Sequence, residues 1–421
     1  MSEGNSPDLV PVHGGLSHPV DRMVPLNERT AFLAEAEALP SVVVTAADLS
    51  TVYRIADGAL SPLEGPMKQA EFQQVLDHSV VTRGGRDFAW TIPLSLPVTD
   101  SEAGAIAAGG SVAVRTEGGE LVAIVDETEV FAWDKPAYVQ SVYGTDRFDH
   151  PGGRMVENDE RSQLLGGPIR VLPQPQNMEY GEFMLSPRQV RELIRGRKWQ
   201  RALAFQTRNP LHRAHEYALV AGVEDLTSAG HFTGAVLNPL VGELKGDDVP
   251  ASVRMRCYRE LHSKQLLGQG DKDPAIWDKA GYDISEIFEL VGLDMKMFYG
   301  GPKEAVMHGI YRQNYGFSDI VIGRKHADAP FEGGEAIWGD FDAHEVFDTL
   351  AGELEIQPCK IGFAAYYESL GRVDLTERHP DEKPFSISGT KVREQLAEGD
   401  RPDARIMRSE TADVLIEAYR G

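Results

Sequence analysis

The stretch that most limits what this chain can fold into covers residues 201–226. Arg201-Ala202-Leu203-Ala204-Phe205 is a short apolar run of the kind a buried strand needs, and from Leu211 onward apolar residues return at helical spacing. Between them lies Gln206-Thr207-Arg208-Asn209-Pro210-Leu211-His212-Arg213-Ala214-His215-Glu216. A strand turning straight into a helix leaves backbone N–H groups and the positive end of the helix dipole facing the turn, which makes it an anion site. Asn209 is expected to cap the helix and Pro210 to take its first position, where a missing N–H goes unnoticed. Arg208 adds a planar, permanently charged fork. His212 and His215, three apart, share one face of the first turn and reach the same ligand.

The chain as a whole opposes that purpose. Its 42 Lys and Arg against 65 Asp and Glu give a net charge of −23, which repels nucleic acid, anionic membrane and small anions alike. An enzyme acting on anions must then gather its cations locally. Three such clusters stand out: Arg208 to His215, Arg324-Lys325-His326, and Lys391 with Arg393.

At 421 residues the chain is too long for one ordinary core. We expect a β-rich region over 1–170, an α/β region with a parallel sheet over 171–349, and a small C-terminal region over 350–421. In the first, Ser41-Val42-Val43-Val44, the run 89–94, Ser111-Val112-Ala113-Val114 and Leu121-Val122-Ala123-Ile124-Val125 read as short strands, with a hairpin turn at 117–120 and helices at 29–38 and 68–77. After a Pro-containing connector at 171–185, Ser186-Pro187 starts a helix, and strands and helices then alternate. The strand at 232–237 runs into the loop 238–248, which is followed by a helix at 249–267. Residues 268–293 read as an insertion with a helix at 284–291. Pro302 opens a helix to Asn314. The β-branched run Ile320-Val321-Ile322 is a buried strand ending on Gly323-Arg324-Lys325-His326-Ala327, a second cationic turn expected to face the same crevice as the first. A last strand is expected near 360–364, before Ile387-Ser388-Gly389-Thr390 at a capped helix start.

Cys257 and Cys359, the two cysteines of the chain, support neither a disulfide framework nor a zinc cluster, which fits a reducing cytoplasm. The N-terminal stretch 1–12 has no apolar run of signal or membrane length, so no export is expected.

The His-x-x-His spacing resembles the nucleotide signature of adenylyltransferases with a Rossmann-like fold, and the full eleven residues 206–216 resemble the sulfate- and ATP-binding motif of the ATP sulfurylase (sulfate adenylyltransferase) family. Other segments resemble that family in the same order. His13-Gly14-Gly15, the stretch 58–67, and Val142-Tyr143-Gly144-Thr145-Asp146 with His150-Pro151 are similar to its PUA-like N-terminal domain. The segments 238–248, 323–327 and 387–390 are similar to its nucleotide-site loop, its Gly-Arg-Asp-His-Ala motif and its Ile-Ser-Gly-Thr motif. Three positions depart from the pattern: Pro66 for an aromatic, Asn238 for His, and Lys325 for Asp. No Gly-x-x-x-x-Gly-Lys-[Ser/Thr] loop occurs, so no fused APS kinase is expected.

The resemblance implies a PUA-like domain followed by a Rossmann-like catalytic domain, joining sulfate to the AMP of ATP to give adenosine 5'-phosphosulfate (APS) and pyrophosphate. It implies sulfate held by Gln206, Arg208 and the backbone of Ala327. Thr207, Arg208 and Asn209 would steady the α-phosphate, His212 and His215 the departing pyrophosphate. Gly323, Arg324, Lys325 and His326 would line the nucleotide pocket, with Ala364 beside the adenine. Mg²⁺ is implied with ATP and pyrophosphate, zinc is not, and a homodimer is implied by the stand-alone bacterial members.

Two other readings share part of these signals. An adenylyltransferase with an organic phosphate acceptor has the same His-x-x-His, but the Gln-Thr-Arg-Asn turn suits a small oxyanion better. A non-catalytic, PUA-type RNA-binding protein would account for the β-rich first region, and the acidic surface disfavours it.

Overall fold

A computed structural model describes residues 9–241 and 249–420. The part of the nucleotide-site loop at 242–248 therefore lies outside the described residues, as does the start of the N-terminal stretch.

The central sheet has five parallel strands: β1 Arg201–Phe205, β2 Thr233–Leu237, β3 Phe288–Leu290, β4 Asp319–Gly323 and β5 Gln357–Ile361. Their spatial order is β3-β2-β1-β4-β5. The chain moves outward from β1 to β3 on one side and returns to β4 and β5 on the other, so the carboxyl end of β1 lies at the topological switch point, where open α/β sheets bind ligands. Leu203, Ala204, Val236, Ile320 and Ile322 are fully buried. Burial on both faces is why these strands read as unbroken apolar runs.

Helix α1 (Pro187–Arg197) precedes β1, α2 (Arg213–Ser228) and α3 (Ala251–Ser263) follow β1 and β2, and α4 (Gly301–Tyr315) precedes β4. Ser186 caps α1 in a reciprocal box with Gln189, as the Ser-Pro start suggests. Helix α2 lies so close to the sheet that a Cβ at Gly222 would stand 2.6 Å from Leu203 Cδ2 and 2.9 Å from Cys359 Sγ.

The stretch 268–293 is not an insertion with a helix at 284–291. It contains a helix at Pro274–Ala280, a single 3-10 turn at Ile284–Glu286, and then β3, the edge of the main sheet. Three residues are too few for periodicity to separate a strand from a helix.

The first region carries a four-stranded sheet of Ser41–Val44, Val112–Thr116, Leu121–Val125 and Ile169–Val171, and a three-stranded one of Leu96–Val98, Gln163–Gly166 and Glu129–Ala132. The expected strand at 89–94 is divided. Arg86–Ala89 closes a hairpin with Val80–Arg83 through Gly84 and Gly85, both at positive φ as a two-residue turn demands. Trp90 and Ile92 then fill the core as irregular chain, and Leu96–Val98 begins another sheet. Helices at Arg29–Glu37 and Gln69–His78 match expectation, whereas Ala46–Ala56 was not foreseen. Every residue from Ser50 to Ala56 is buried, so that helix shows no polar face to set its period.

Beyond β5, Ala364–Tyr367 and Arg372–Leu375 form an antiparallel ribbon. Helices α5 (Gly389–Glu398) and α6 (Ser409–Arg420) close a separate small core with α3, built on Cys257, Leu396, Met407 and Leu415.

Candidate active site

The turn after β1 is held by its own side chains. Thr207 Oγ1 accepts from Asn209 N at 3.2 Å and stands 3.1 Å from Asn209 O, while the Tyr258 hydroxyl on α3 donates to Asn209 O at 2.8 Å. These bonds keep Asn209 and Pro210 out of the helix. The cap is His212, whose Nδ1 accepts from His215 N, and α2 begins at Arg213, three residues later than the Asn-Pro start implies.

The turn after β4 runs from Gly323 to Ala327, with Lys325 at φ 52° and Ala327 at φ 55°. Left-handed backbone at two non-glycine residues costs on the order of 1–3 kcal/mol each and concentrates where a chain is shaped around a ligand. A Cβ at Gly323 would meet nothing within 4 Å, so room is left in front of the strand end.

The two turns and the segment after β5 enclose one cavity of about 480 Å³. Gln206, Thr207, Arg208, Asn209, His212 and His215 line it from β1, Gly323 through Ala327 from β4, and Ala364 from β5. Two cationic bends more than a hundred residues apart in sequence thus face the same space in an acidic protein. The third cluster does not join them. Ser388 caps α5 through Lys391 N, residues 388–391 are exposed, and neither Lys391 nor Arg393 lines the cavity.

Burial lowers the pKa of both histidines, His212 to about 3 with the neighbouring His215 ring adding to the effect. Both are neutral in the free protein and ready to gain protons beside an anion. The Arg208 guanidinium lies 5.6 Å from the Tyr299 ring centroid. Arg324 stacks 3.7 Å over Phe363 and pairs with Asp340 at 2.5 Å, and Lys325 stands 3.5 Å from the same carboxylate. Asp340 therefore tempers the charge that Lys325 adds. His326 turns inward, its Nε2 2.8 Å from His308 Nδ1. Asn238 is buried against Arg312, which donates to its Oδ1 at 2.8 Å, so this departure serves packing.

Met297, Tyr299, Asp328 and Phe363 are among the lining residues that carry no site signal in the sequence. Met297 and Tyr299, the latter at φ 56°, alternate with Lys296 and Phe298, which line a different pocket. Lys296 pairs with Asp48 at 2.8 Å, and the Tyr143 hydroxyl donates to Phe298 O at 3.0 Å. The alternation was readable, but nothing local tied it to the cavity. Two motif residues also proved to be tethers. Arg213 forks onto Asp271 and donates to Ala404 O, and Glu216 pairs with Arg408 at 2.7 Å, fastening α2 to the C-terminal region.

The ATP-sulfurylase family model matches residues 181–418, and a PUA-like domain model matches residues 10–174. The chain belongs to the ATP-sulfurylase family. A sulfate adenylyltransferase from Pyropia yezoensis is 50% identical over 415 residues, covering 98% of this chain and 97% of that protein. One from Synechococcus sp. (strain JA-3-3Ab) is 34% identical over 418 residues, covering 99% and 98%. Among solved structures, one described as a hexameric APS kinase from Thiobacillus denitrificans superposes with a TM-score of 0.71 at 19% identity, covering 97% of this chain and 68% of that one, a likeness of fold. The architecture of this ATP-sulfurylase family member is thus a PUA-like domain followed by a Rossmann-like α/β catalytic domain, and it is a nucleotidyltransferase.

Proposed function

We propose that this chain catalyses ATP + sulfate = APS + pyrophosphate, by direct in-line attack of a sulfate oxygen on the α-phosphorus of ATP. The observation that carries the reading is the meeting of the β1 and β4 turns in one cavity at the switch point of the sheet. Sulfate is fully ionised at neutral pH, so no general base is required. The work left to the protein is to hold two anions end to end and to stabilise the charge that builds on the leaving group.

In this reading Gln206, Arg208 and the backbone of Ala327 hold sulfate. Gln206 would donate to sulfate through its Nε2, because fully ionised sulfate offers only acceptors. Thr207, Arg208 and Asn209 steady the α-phosphate, their turn being locked by the Thr207 and Tyr258 bonds. His212 and His215 take the pyrophosphate as it departs. Gly323, Arg324, Lys325 and His326 line the nucleotide pocket, and Ala364, with Met297 and Val321, gives the adenine an apolar wall.

Mg²⁺ enters as the ion of the nucleotide substrate, carried on phosphate oxygens and spreading their charge. Among the described residues no group of three His, Cys, Asp or Glu is placed to hold a metal by itself, and Mg²⁺ seldom needs one when phosphates are present. Asp328 lines the cavity with an unpartnered buried Oδ1 and is the carboxylate that would meet it.

The mixed anhydride in APS places equilibrium on the side of ATP and sulfate, so net flow forward requires removal of APS and pyrophosphate. We also infer a cytoplasmic homodimer. Two free cysteines and the resemblance to stand-alone bacterial members support this, and no helix among the described residues is long and apolar enough to cross a membrane.

The deciding experiment replaces sulfate with molybdate. Transfer of AMP to molybdate gives an unstable product, so ATP is cleaved to AMP and pyrophosphate in a molybdate-dependent way. The expected result is that cleavage together with ATP formation from APS and pyrophosphate. Absence of both reactions rejects the assignment.

A further inference from the structure

Tyr299 occupies a strained bend in the cavity wall. It precedes the cap of α4 at φ 56°, a left-handed conformation that a residue with a β-carbon takes only against steric resistance. Two anchors hold the bend. Glu304, in the first turn of α4 and 0% exposed, accepts from Phe298 N and from Gly300 N, each at 2.9 Å, so one carboxyl group gathers the backbone on both sides of Tyr299. Gly301 N donates to Ala327 O at 3.1 Å, which fastens the same bend to the turn after β4. A Cβ at Gly301 would stand 2.4 Å from the Trp338 ring, so this second anchor leaves no room for a side chain.

What the bend presents to the cavity is one aromatic ring. Tyr299 is 5% exposed, and the Arg208 guanidinium stands 5.6 Å from its ring centroid. A guanidinium at that distance is attracted by the ring quadrupole, and more strongly where water is kept away. The bonds of Thr207 and Tyr258 lock the backbone of the β1 turn, but they leave the long side chain of Arg208 free to point in several directions. A fixed ring beside the fork narrows that choice. The bend therefore touches two of the groups assigned to sulfate, Arg208 through the ring and Ala327 through its carbonyl oxygen.

We propose that Tyr299 is a positioning residue that aims the Arg208 guanidinium at the sulfate, and that Glu304 serves it by holding the bend that presents the ring. Tyr299 acts through Arg208 and takes no part in the bond changes. The cost of a loosened fork falls on rate, because a charge donor that wanders must be ordered again in the transition state. It also falls unequally on the two substrates. ATP is held in addition by His212, His215 and the β4 turn, whereas sulfate is small and depends on few groups.

The proposal rests on the sulfate adenylyltransferase reading, and the test separates the two. The native protein, Tyr299→Leu, Tyr299→Phe, Arg208→Ala and the double variant of Tyr299→Leu with Arg208→Ala are assayed for molybdate-dependent ATP cleavage and for ATP formation from APS and pyrophosphate. A thermal midpoint accompanies each. Tyr299→Leu is expected to lower kcat/KM for molybdate by about 3- to 30-fold, the span of a cation–π contact from exposed to desolvated, with KM for ATP changed less. Tyr299→Phe, which keeps the ring, is expected to restore most of the rate. In Arg208→Ala the same Tyr299→Leu change is expected to cost little more, because the group it aims is gone. Glu304→Gln, which puts a donor where an acceptor stood, is expected to reproduce the loss and to add little to it in Tyr299→Leu.

If the native protein shows neither reaction, the enzyme reading falls. If it is active and Tyr299→Leu keeps the native rate, or slows the protein by the same factor with and without Arg208, the positioning role falls. Equal damage in Tyr299→Phe and Tyr299→Leu also overturns it, since the ring would then not be what matters. Should Tyr299→Leu not fold, Tyr299→Met takes its place in the same cycle.

Discussion

The rings of His212 and His215 stack with centroids 3.8 Å apart and planes inclined by 21°. Two imidazoles in that arrangement cannot both be charged without an anion between them and the rest of the site, which agrees with the lowered pKa of each.

Their neutrality predicts proton uptake. In the free protein His212 titrates at about 3, so at pH 7 it carries no charge. A bound pyrophosphate raises the pKa of both rings, and the complex then holds more protons than its parts at any pH between the free and bound values. Calorimetry in buffers of different ionisation enthalpy is expected to show net uptake on pyrophosphate binding near pH 7, and affinity that increases as pH falls toward 6. In His212→Asn, which retains a capping side chain, the uptake is expected to diminish. Zero uptake in the native protein would remove these rings from the phosphate site.

Arg208→Ala is expected to lower turnover by roughly 10²-fold or more, the usual consequence of deleting an oriented charge donor. Arg208→Lys should rescue little of it, since a point charge does not reproduce a planar fork. The thermal midpoint is the control. A near-native rate for Arg208→Ala in a molybdate or reverse assay would deny the residue a part in catalysis.

Glu216 and Arg408 predict a stability effect far from the chemistry. Their side chains are 2% and 10% exposed, and burial pushes the Glu216 carboxyl up to about 7 even with Arg408 beside it. Removing the guanidinium in Arg408→Ala strands a buried acid, at a cost of about 3 kcal/mol. With Arg408 present the folded-state carboxyl ionises at about 7, and without it higher still, so the two proteins differ in charge only above about 7 and the penalty grows as pH rises past that value. Denaturant unfolding at pH 5 and pH 8 measures it, and an equal loss at both values would contradict the account.

Gly234 tests the packing of β2. A Cβ there would lie 2.1 Å from the Trp199 ring, whose indole is 1% exposed. Gly234→Ala is expected to cost about 1–3 kcal/mol through overpacking, with displaced Trp199 fluorescence, and Trp199→Phe should relieve part of it. Unchanged stability in Gly234→Ala would mean that the indole yields freely.

The two cationic turns were legible in the sequence because strand, turn and helix onset each leave a local mark, and a local concentration of Arg and His stands out in an acidic chain. The start of α2 was misplaced because Thr207 and Tyr258, the latter 49 residues beyond Asn209, decide where the backbone becomes helical. Strand β3 was hidden by its length, and the helix at Ala46–Ala56 by burial on every side. His308 lies in a helix buried almost throughout, and only the fold reveals that its Nδ1 meets His326, a cavity residue. Lys391 and Arg393 show the opposite failure, a motif whose charges look purposeful in sequence and stay outside the cavity.

The stretch from Lys296 to Tyr299 presents Lys296 and Phe298 to the first region and Met297 and Tyr299 to the nucleotide cavity. Four consecutive codons therefore answer to two sets of neighbours at once, and a change suited to one is scrutinised by the other. Recombination that joins the first region of one relative to the catalytic region of another would separate Asp48 and Tyr143 from the residues they grip. The two regions should accordingly be inherited as a unit, and hybrid genes spliced within the connector should yield working protein only when both parents agree at those contacts.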